Sequence, residues 1–502
     1  METIQEHSSP NLHQSLLNSL SKLKTEPNQA RKLILTTVRS KAYHTHSLFP
    51  HATHPNQIVL KTDYLVHLAE RIPDYLSEIN HQSSLPVPIF ALEASLYTLP
   101  TAHSALLYIS KVDSTGLGIN PVPATILTEA FISYFFNHPP RSIESIRVHI
   151  FARAAREGQY LFPGSASNVI GGKGDGVPKM SHNHILRGKR ILDDQQLIKW
   201  WKTLLSKPIQ NNQSEIQRFY ILPGFDKDES LSILPDDHSN SNWNYGHSYH
   251  HLPPIFSIKQ LGDLIPALPD DPKARFLQTL SRSSANPAGE PGDWDDAIED
   301  RSLTSLEIDR LRERKFLNQI NVDEFWERMG GRQECCDGRV SAFFVIFGSN
   351  LRKGVIGNDN NKKVNEMGVN KDIKAEEMSA NDLIQETTTS NTISEKKSDE
   401  EVLKSETSSI KDTKTSSAVS RNVWVTLWSK FHNVDYSRLH KSSIGYQSWI
   451  ESVKACVGNM INQIHTEIEV DNPSNNKRND VNQIEERPVT ILQLYCGEPV
   501  KK

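Results

Sequence analysis

Two stretches of this sequence bring groups capable of acid–base or ionic chemistry within a few residues of one another. The first, Leu268-Pro269-Asp270-Asp271-Pro272-Lys273-Ala274-Arg275-Phe276, packs two carboxylates, an ammonium and a guanidinium into six positions. As local structure, Asp271 suits a helix N-cap and Pro272 the first helical position, while Phe276, Leu277 and Leu280 form an apolar stripe. As chemistry, the same residues offer an acid/base pair beside a lysine, a side chain whose protonation responds readily to burial. The second stretch is Val112-Asp113-Ser114-Thr115-Gly116-Leu117-Gly118-Ile119-Asn120. Its two glycines let the backbone turn tightly, Pro121 and Pro123 end the loop, and a helix N-terminus after them offers N–H groups to an anion such as a pyrophosphate. Asp-Ser-Thr-Gly is also an ordinary turn.

Regular elements must hold these groups. Residues 11–40 read as an amphipathic helix, a turn at Pro27-Asn28 and an apolar run through Leu33, Ile34 and Leu35. Ile89 to Thr98 alternates, with Phe90, Leu92, Ala94 and Leu96 on one side, and is expected as a half-buried strand. Ala105 to Lys111 is a continuous apolar run, expected as a buried central strand feeding the Asp113 loop. Ala124 to Phe136 is an amphipathic helix with Ile126, Leu127, Ala130, Phe131, Tyr134 and Phe135 on one face. Ile146 to Ala154 alternates as a third strand, with Arg147, His149, Phe151 and Arg153 on one side. Leu197, Trp200, Trp201, Leu204 and Leu205 follow the helical period. Neighbouring helical positions differ by about 100°, so one of the two tryptophans is expected on a pocket wall. Leu303 to Phe316 reads as a charged helix, Val340 to Phe347 as a last core strand, and Tyr446 to Ile464 as an amphipathic helix.

Composition narrows the class. A chain of 502 residues, 37% hydrophobic, can bury a substantial core. With 56 basic and 60 acidic residues the net charge is -4, which gives no general attraction to DNA. Acidic runs such as Asp226-Lys227-Asp228-Glu229, Asp236-Asp237 and Asp293-Trp294-Asp295-Asp296 could meet a basic substrate, although such runs are ordinarily solvated loops. Four cysteines, none at zinc-site spacing, argue for a reducing compartment. No stretch reaches the roughly 18 apolar residues of a membrane span, and an intracellular soluble protein is expected. Gly171 to Gly176 lacks the Gly-Lys-Ser/Thr ending of a phosphate loop and reads as a surface insertion. His182, His184, His247, His250 and His251 have no carboxylate or cysteine at ligand spacing, so they read as solvated loop histidines and no metal is expected.

Several motifs resemble the fungal histone H3 lysine-56 acetyltransferases, a family of the regulator of Ty transposition type that is structurally CBP-like. Pro269 to Phe276 is similar to its Pro-Asp-Asp-Pro-Lys-Ala-Arg-Phe stretch. Ser110, Lys111, Asp113 and Gly116 resemble its acetyl-CoA loop, with Val112 replacing alanine. Phe151-Ala152-Arg153 and Gln159 to Pro163 match Phe-x-Arg and Gln-Tyr-Leu-Phe-Pro, although Ala155 to Gly158 is about two residues longer than usual. Arg190-Ile191-Leu192, Trp200-Trp201, Phe325-Trp326 and Arg332 to Cys335 have counterparts too. The resemblance implies an α/β (α+β) fold, a central mixed sheet surrounded by helices with long loop insertions.

By the same resemblance, acetyl-CoA is the co-substrate. It would be held by Val112, Asp113 and Ser114, by Pro121, Val122, Pro123, Ala124 and Thr125, and by Phe151, Arg153, Ala155, Arg190, Ile191, Leu192 and Trp200. Trp201 falls on the wall of the lysine channel and Lys273 on a lysine that these enzymes acetylate on themselves. The chemistry has two demands. At pH 7 a free lysine is neutral only about once in 2,500, a penalty of roughly 4.6 kcal/mol. Asp113, Asp270 and Asp271 could take the proton, while Trp201 and Tyr160 would favour the neutral amine by desolvation. CoA phosphates need donors and positive charge, for which Lys111, Arg153, Lys189, Arg190 and the Gly116–Asn120 backbone are candidates.

The expected organisation is a catalytic domain over residues 1–349, a disordered insertion over 350–420, a closing helical segment over 421–470 and a flexible tail over 471–502. The expected partners are histone H3-H4 and histone chaperones of the anti-silencing and nucleosome-assembly-protein types, in the nucleus, serving chromatin assembly and the DNA-damage response. No membrane and no sequence-specific DNA are expected as partners. Two alternatives stay open: a catalytically weakened scaffold that binds histone-chaperone complexes, and a GNAT-type small-molecule acetyltransferase. The latter wants arginine or glutamine where this chain has Asp113.

Overall fold

The apolar run near residue 105 is the middle strand of a ten-stranded mixed sheet. The structure, a computed structural model, describes residues 11–23, 30–46, 48–52, 58–72, 85–119, 122–168, 188–207, 209, 215–235, 242–255, 260–283, 305–332, 340–351 and 417–470. The strands in chain order are β1 (Arg31–Arg39), β2 (Tyr43–His44), β3 (Leu60–Arg71), β4 (Pro86–Leu99), β5 (Ser104–Ser114), β6 (Ser145–Ala152), β7 (Glu215–Ile221), β8 (Trp243–Tyr245), β9 (Ala342–Ser349) and β10 (His465–Val470). Across the sheet they run β10-β1-β3-β4-β5-β6-β9-β7-β8, with β2 beside β3. Neighbours are antiparallel except for β5–β6 and β7–β8.

Helices cover both faces. On one face α1 (Leu12–Leu20), α2 (Ala124–Asn137) and α3 (Asp194–Ser206) pack Leu16, Phe131 and Leu204 onto Leu92, Ala94, Leu107 and Ile150. Part of the other face is covered by α9 (Arg421–His432) and α10 (Leu439–Val457), whose Phe431, Trp449 and Val453 meet Ile34, Leu65 and Ala91. The rest is covered by α5 (Leu261–Leu264), α6 (Pro272–Ser283), α7 (Ser305–Leu317) and α8 (Val322–Gly330), packed on Phe343. A short helix, α4 (Lys227–Ile233), follows β7 and opens with a capping box between Asp226 and Glu229.

The mixed sheet with surrounding helices is as expected, but several elements differ from the sequence reading. β4 is buried on both faces rather than half-buried, because α9 and α10 cover the side opposite Leu92 and Ala94. β5 extends to Ser114, so the loop starts three residues later than its composition suggests. Val340 to Phe347 supplies β9, but the sheet gains a further strand when β10 pairs with β1, inside the segment expected to be helical. Val419 pairs with Ser40, and the Ser420 side chain caps α9, so the end of the stretch expected to be disordered is built into the fold. Residues 352–416 and 471–502 lie outside the described residues.

One buried histidine makes stability depend on pH. His67 of β3 is surrounded by Phe162, Phe431, Tyr446 and Trp449, stacked on Tyr446 at 4.8 Å, and neither ring nitrogen has a hydrogen-bond partner among the described residues. Burial, with a smaller contribution from His465, lowers its pKa from 6.5 to about 3. His13, which bridges Thr37 and Thr466, is lowered to about 4 by burial and by His465. The unfolded chain therefore takes up these protons first, so stability is full above pH 6.5 and falls as the pH drops toward 4. His67 alone contributes a loss of about 3 kcal/mol at pH 4. Thermal melts of His67→Phe should show a shallower decline between pH 6.5 and 4 than wild type; parallel declines would contradict this burial.

Candidate active site

The parallel pair β5–β6 is in register only as far as Ile109 and Ile150. Beyond that point β5 stays with β4, through a bulge at Glu93/Ala94, and continues to Ser114. β6 ends at Ala152. The strands splay, and ligands of such sheets bind beyond the carboxyl ends of parallel strands. A cavity of about 410 Å³ lies there, lined by β5 from Ile109 to Ser114, by Phe151 to Ala155 at and beyond the end of β6, and by Trp200 and Trp201 of α3.

Hydrogen bonds fix the cavity rim. Asp113 accepts at Oδ1 from Lys189 Nζ at 2.7 Å and from its neighbour Ser114 N at 2.8 Å, and at Oδ2 from Phe162 N at 3.3 Å. Lys189 also donates to Ser165 Oγ at 2.6 Å, and its ammonium lies 4.1 Å from the centre of the Tyr160 ring. The Lys189 backbone N–H donates to Asn168 O, while Asn168 Nδ2 donates to Thr115 O and Tyr436 O. At the far end of the loop Glu70 accepts from Ile119 N and from Arg31, a buried ion pair. The loop is thus tied at both ends.

Gly116 has φ +75°, and any Cβ there would overlap the Lys189 backbone nitrogen. Gly116→Ala is expected to push the Lys189 segment outward and weaken binding of acetyl-CoA, the ligand that the motif resemblance implies, at least about tenfold, ~1.4 kcal/mol. Titration calorimetry checks this, and wild-type affinity in the variant would show that the contact can be relaxed.

The two tryptophans stand edge to face at 4.8 Å. Trp201 is buried, whereas Trp200 is half-buried and donates from Nε1 to Thr125 Oγ1 at 3.1 Å, tying α3 to the first turn of α2. Both line the cavity. α2 has no side-chain cap at Pro123; the Ala124 N–H donates to Val122 O at 2.8 Å, and the N–H groups of Thr125 and Ile126 face the helix N-terminus, where an anion can accept from them. Arg153 and Arg190 add positive charge to the lining.

Most of the residues proposed from sequence meet in this cavity. Val112, Asp113, Ser114, Val122, Ala124, Thr125, Phe151, Arg153, Ala155, Tyr160, Arg190, Ile191, Leu192, Trp200 and Trp201 all line it. Pro123 stands behind the lining as the α2 N-cap, and Pro121 lies outside the described residues. Lys189, a candidate phosphate contact in the sequence, is buried instead against Asp113. Ser165 and Asn168 carried no signal in the sequence, because their partners are remote along the chain.

The Pro269–Phe276 stretch lies elsewhere. Asp270 is exposed and has φ +57°, a tight turn just before α6. Asp271 caps the helix, Oδ1 accepting from Lys273 N at 2.9 Å, and its other oxygen pairs with Lys273 Nζ. Both side chains are buried, in a pocket lined by Tyr108, His149, Tyr249 and Phe343. Tyr108 donates to Pro269 O at 2.9 Å, and Lys273 Nζ sits over the Phe343 ring at 4.0 Å. Phe343 stacks on Phe151 at 4.7 Å, so an aromatic pair stands between Asp271 and the larger cavity. Burial, then the charges of Lys273 and Arg147, holds His149 well below its ordinary pKa, hence neutral.

The histidines of the 247–251 turn were expected to lack a carboxylate. The fold supplies one: Asp323 of α8 accepts from His247 Nε2 at 2.8 Å and meets His250 Nε2 at 3.0 Å. His182 and His184 lie outside the described residues.

A mixed sheet split at a parallel pair, with a cation-lined cavity and an aromatic wall at the split, suits an elongated anionic ligand. The chain belongs to the family of KAT11-type histone acetyltransferase domains, whose profile matches residues 134–452. It is 31% identical over 294 residues to the histone acetyltransferase rtt109 of Aspergillus flavus, covering 51% of this chain and 44% of that protein. It is 24% identical over 274 residues to the Schizosaccharomyces pombe protein of the same name, covering 51% and 56%. The chain thus spans about half the length of these curated relatives. The crystal structure of Rtt109 from Aspergillus fumigatus superposes with a TM-score of 0.58 at 22% identity, covering 92% of this chain and 99% of that one, which shows the shared fold. The family and the fold expected from the motifs are both borne out.

Proposed function

We propose that this protein transfers the acetyl group of acetyl-CoA to histone lysine, with histone H3 lysine 56 as the target. The observation that carries the reading is the cavity where β5 and β6 part, which gathers nearly every residue that the family motifs assign to acetyl-CoA. The unpaired edge of β5 suits the amides of a pantetheine arm, because an extended ligand can add to a strand edge. The α2 N-terminus, Arg153 and Arg190 suit the phosphates. In the transfer the lysine nitrogen attacks the thioester carbonyl, the C–N bond forms, the C–S bond breaks, and the thiolate leaves to take up a proton. Trp201 and Tyr160 supply the apolar wall that favours the neutral amine. The family motifs also support histone chaperones as partners, a place in the nucleus, and roles in chromatin assembly and the DNA-damage response.

Asp271 would accept the amine proton only after parting from Lys273, because the pair is buried behind Phe151 and Phe343. Acetylation of Lys273 would part them by removing its charge. A second reading, a scaffold with weakened catalysis, has one observation in its favour: Asp113 and Asp271 are both engaged by lysines. Labelled acetyl-CoA, chaperone-bound H3-H4 and intact-mass analysis for Lys273 separate the two. Transfer lost in Trp201→Ala supports the enzyme, whereas histone binding without transfer supports the scaffold.

A further inference from the structure

We propose that His247, His250 and Asp323 form a binding site for a divalent transition-metal ion of the zinc type. The three donor atoms lie within 4.8 Å of one another, although the turn and the helix are more than seventy residues apart. His247 and His250 sit on the turn after β8, where Gly246, at φ +113°, reverses the chain and donates to Tyr220 O. Asp323 is the second residue of α8, whose start Asn321 fixes by accepting from Glu324 N. Both imidazoles thus direct Nε2 at one carboxylate.

The donors are oriented by packing. The His247 side chain is only 9% exposed, and its ring lies parallel to Trp326, one helical turn beyond Asp323, at 6.2 Å and 9°. Asp323 is 71% exposed and His250 55%, so they can separate by the few tenths of an ångström that a shared ion needs, and water can complete its shell. Two imidazoles and one carboxylate favour zinc, cobalt or nickel over calcium and magnesium, which prefer oxygen ligands. A bound ion would clip the 246–252 turn to α8. His247 and Trp326 also line the small pocket that holds Asp271 and Lys273, so the clip would fasten the cover over that pair.

Titration of the full chain with Co²⁺, followed by visible absorption, tests the site. One equivalent should bind, with d–d bands and no thiolate charge-transfer band. His250→Ala and Asp323→Asn should each weaken binding at least about tenfold. His251→Ala should leave it unchanged, because that ring stacks on Phe219 outside the cluster. The proposal is overturned if wild type gives no d–d absorption, if Asp323→Asn binds as tightly as wild type, or if thiolate charge transfer dominates. It is also overturned if His251→Ala weakens binding as much as His250→Ala. Circular dichroism of the metal-free variants confirms that they fold, and all three substitutions lie at exposed positions.

Discussion

Asp113→Ala is expected to lower acetyl transfer at least about 100-fold, because displacement of a positioning network by about 1 Å costs that much. The aspartate accepts three hydrogen bonds and joins β5, the Phe162 segment and Lys189 into one rim. Its loss also breaks the ion pair with the buried Lys189 ammonium, which should cost about 3–5 kcal/mol of stability. The two effects separate in the double variant Asp113→Leu, Lys189→Met. Two apolar residues remove both buried charges, so stability should largely return while acetyl-CoA binding stays weak. Urea unfolding and titration calorimetry on the same samples read both quantities. Full recovery of binding in the double variant would mean that the ion pair serves stability alone.

Lys273→Met is the second large effect. It strands the Asp271 carboxylate in the pocket lined by Tyr108, His149 and Tyr249, where no other cation forms an ion pair with it among the described residues. The expected loss is about 3–5 kcal/mol, and Asp271→Asn added to the same chain should restore most of it. Denaturant midpoints of the four proteins of this cycle give the coupling between the residues. Additive losses would show that the pair does not act as a unit. Acetylation of Lys273 removes the same charge, so a chain carrying that modification should be destabilised in the same direction, unless Asp271 gains a proton.

The elements nearest the cavity were legible because their apolar residues keep period. β4, β5, β6, α2 and α3 fall close to where alternation and helical spacing put them. β3 was not legible. Its sequence carries Asp63, His67 and Glu70, which suggest a surface, yet all three are buried. Asp63 accepts from Ser95 and Tyr43, Glu70 from Arg31, and His67 sits within aromatic rings. Only the folded chain supplies those partners. β10 lies in the segment expected to be helical and becomes an edge strand only by pairing with β1.

The site shows the same division. Asp113, Trp200 and Trp201 stand in local patterns that announce them, whereas Lys189, Ser165 and Asn168 act on partners far along the chain. Sequence also ranked Asp113 and Asp271 alike. The fold separates them, placing one on the cavity rim and the other behind an aromatic partition. Asp323 stands 76 residues from His247, so spacing could not connect it with the histidines.

The most direct test of the central claim, that acetyl-CoA binds where β5 and β6 part, is hydrogen–deuterium exchange of the full chain with and without acetyl-CoA. Protection is expected at residues 110–116, in the first turn of α2 and at 188–192, with little change around His149, Tyr249 and α8. Protection confined to the pocket of Asp271 and Lys273, or no protection at saturating acetyl-CoA, would contradict it.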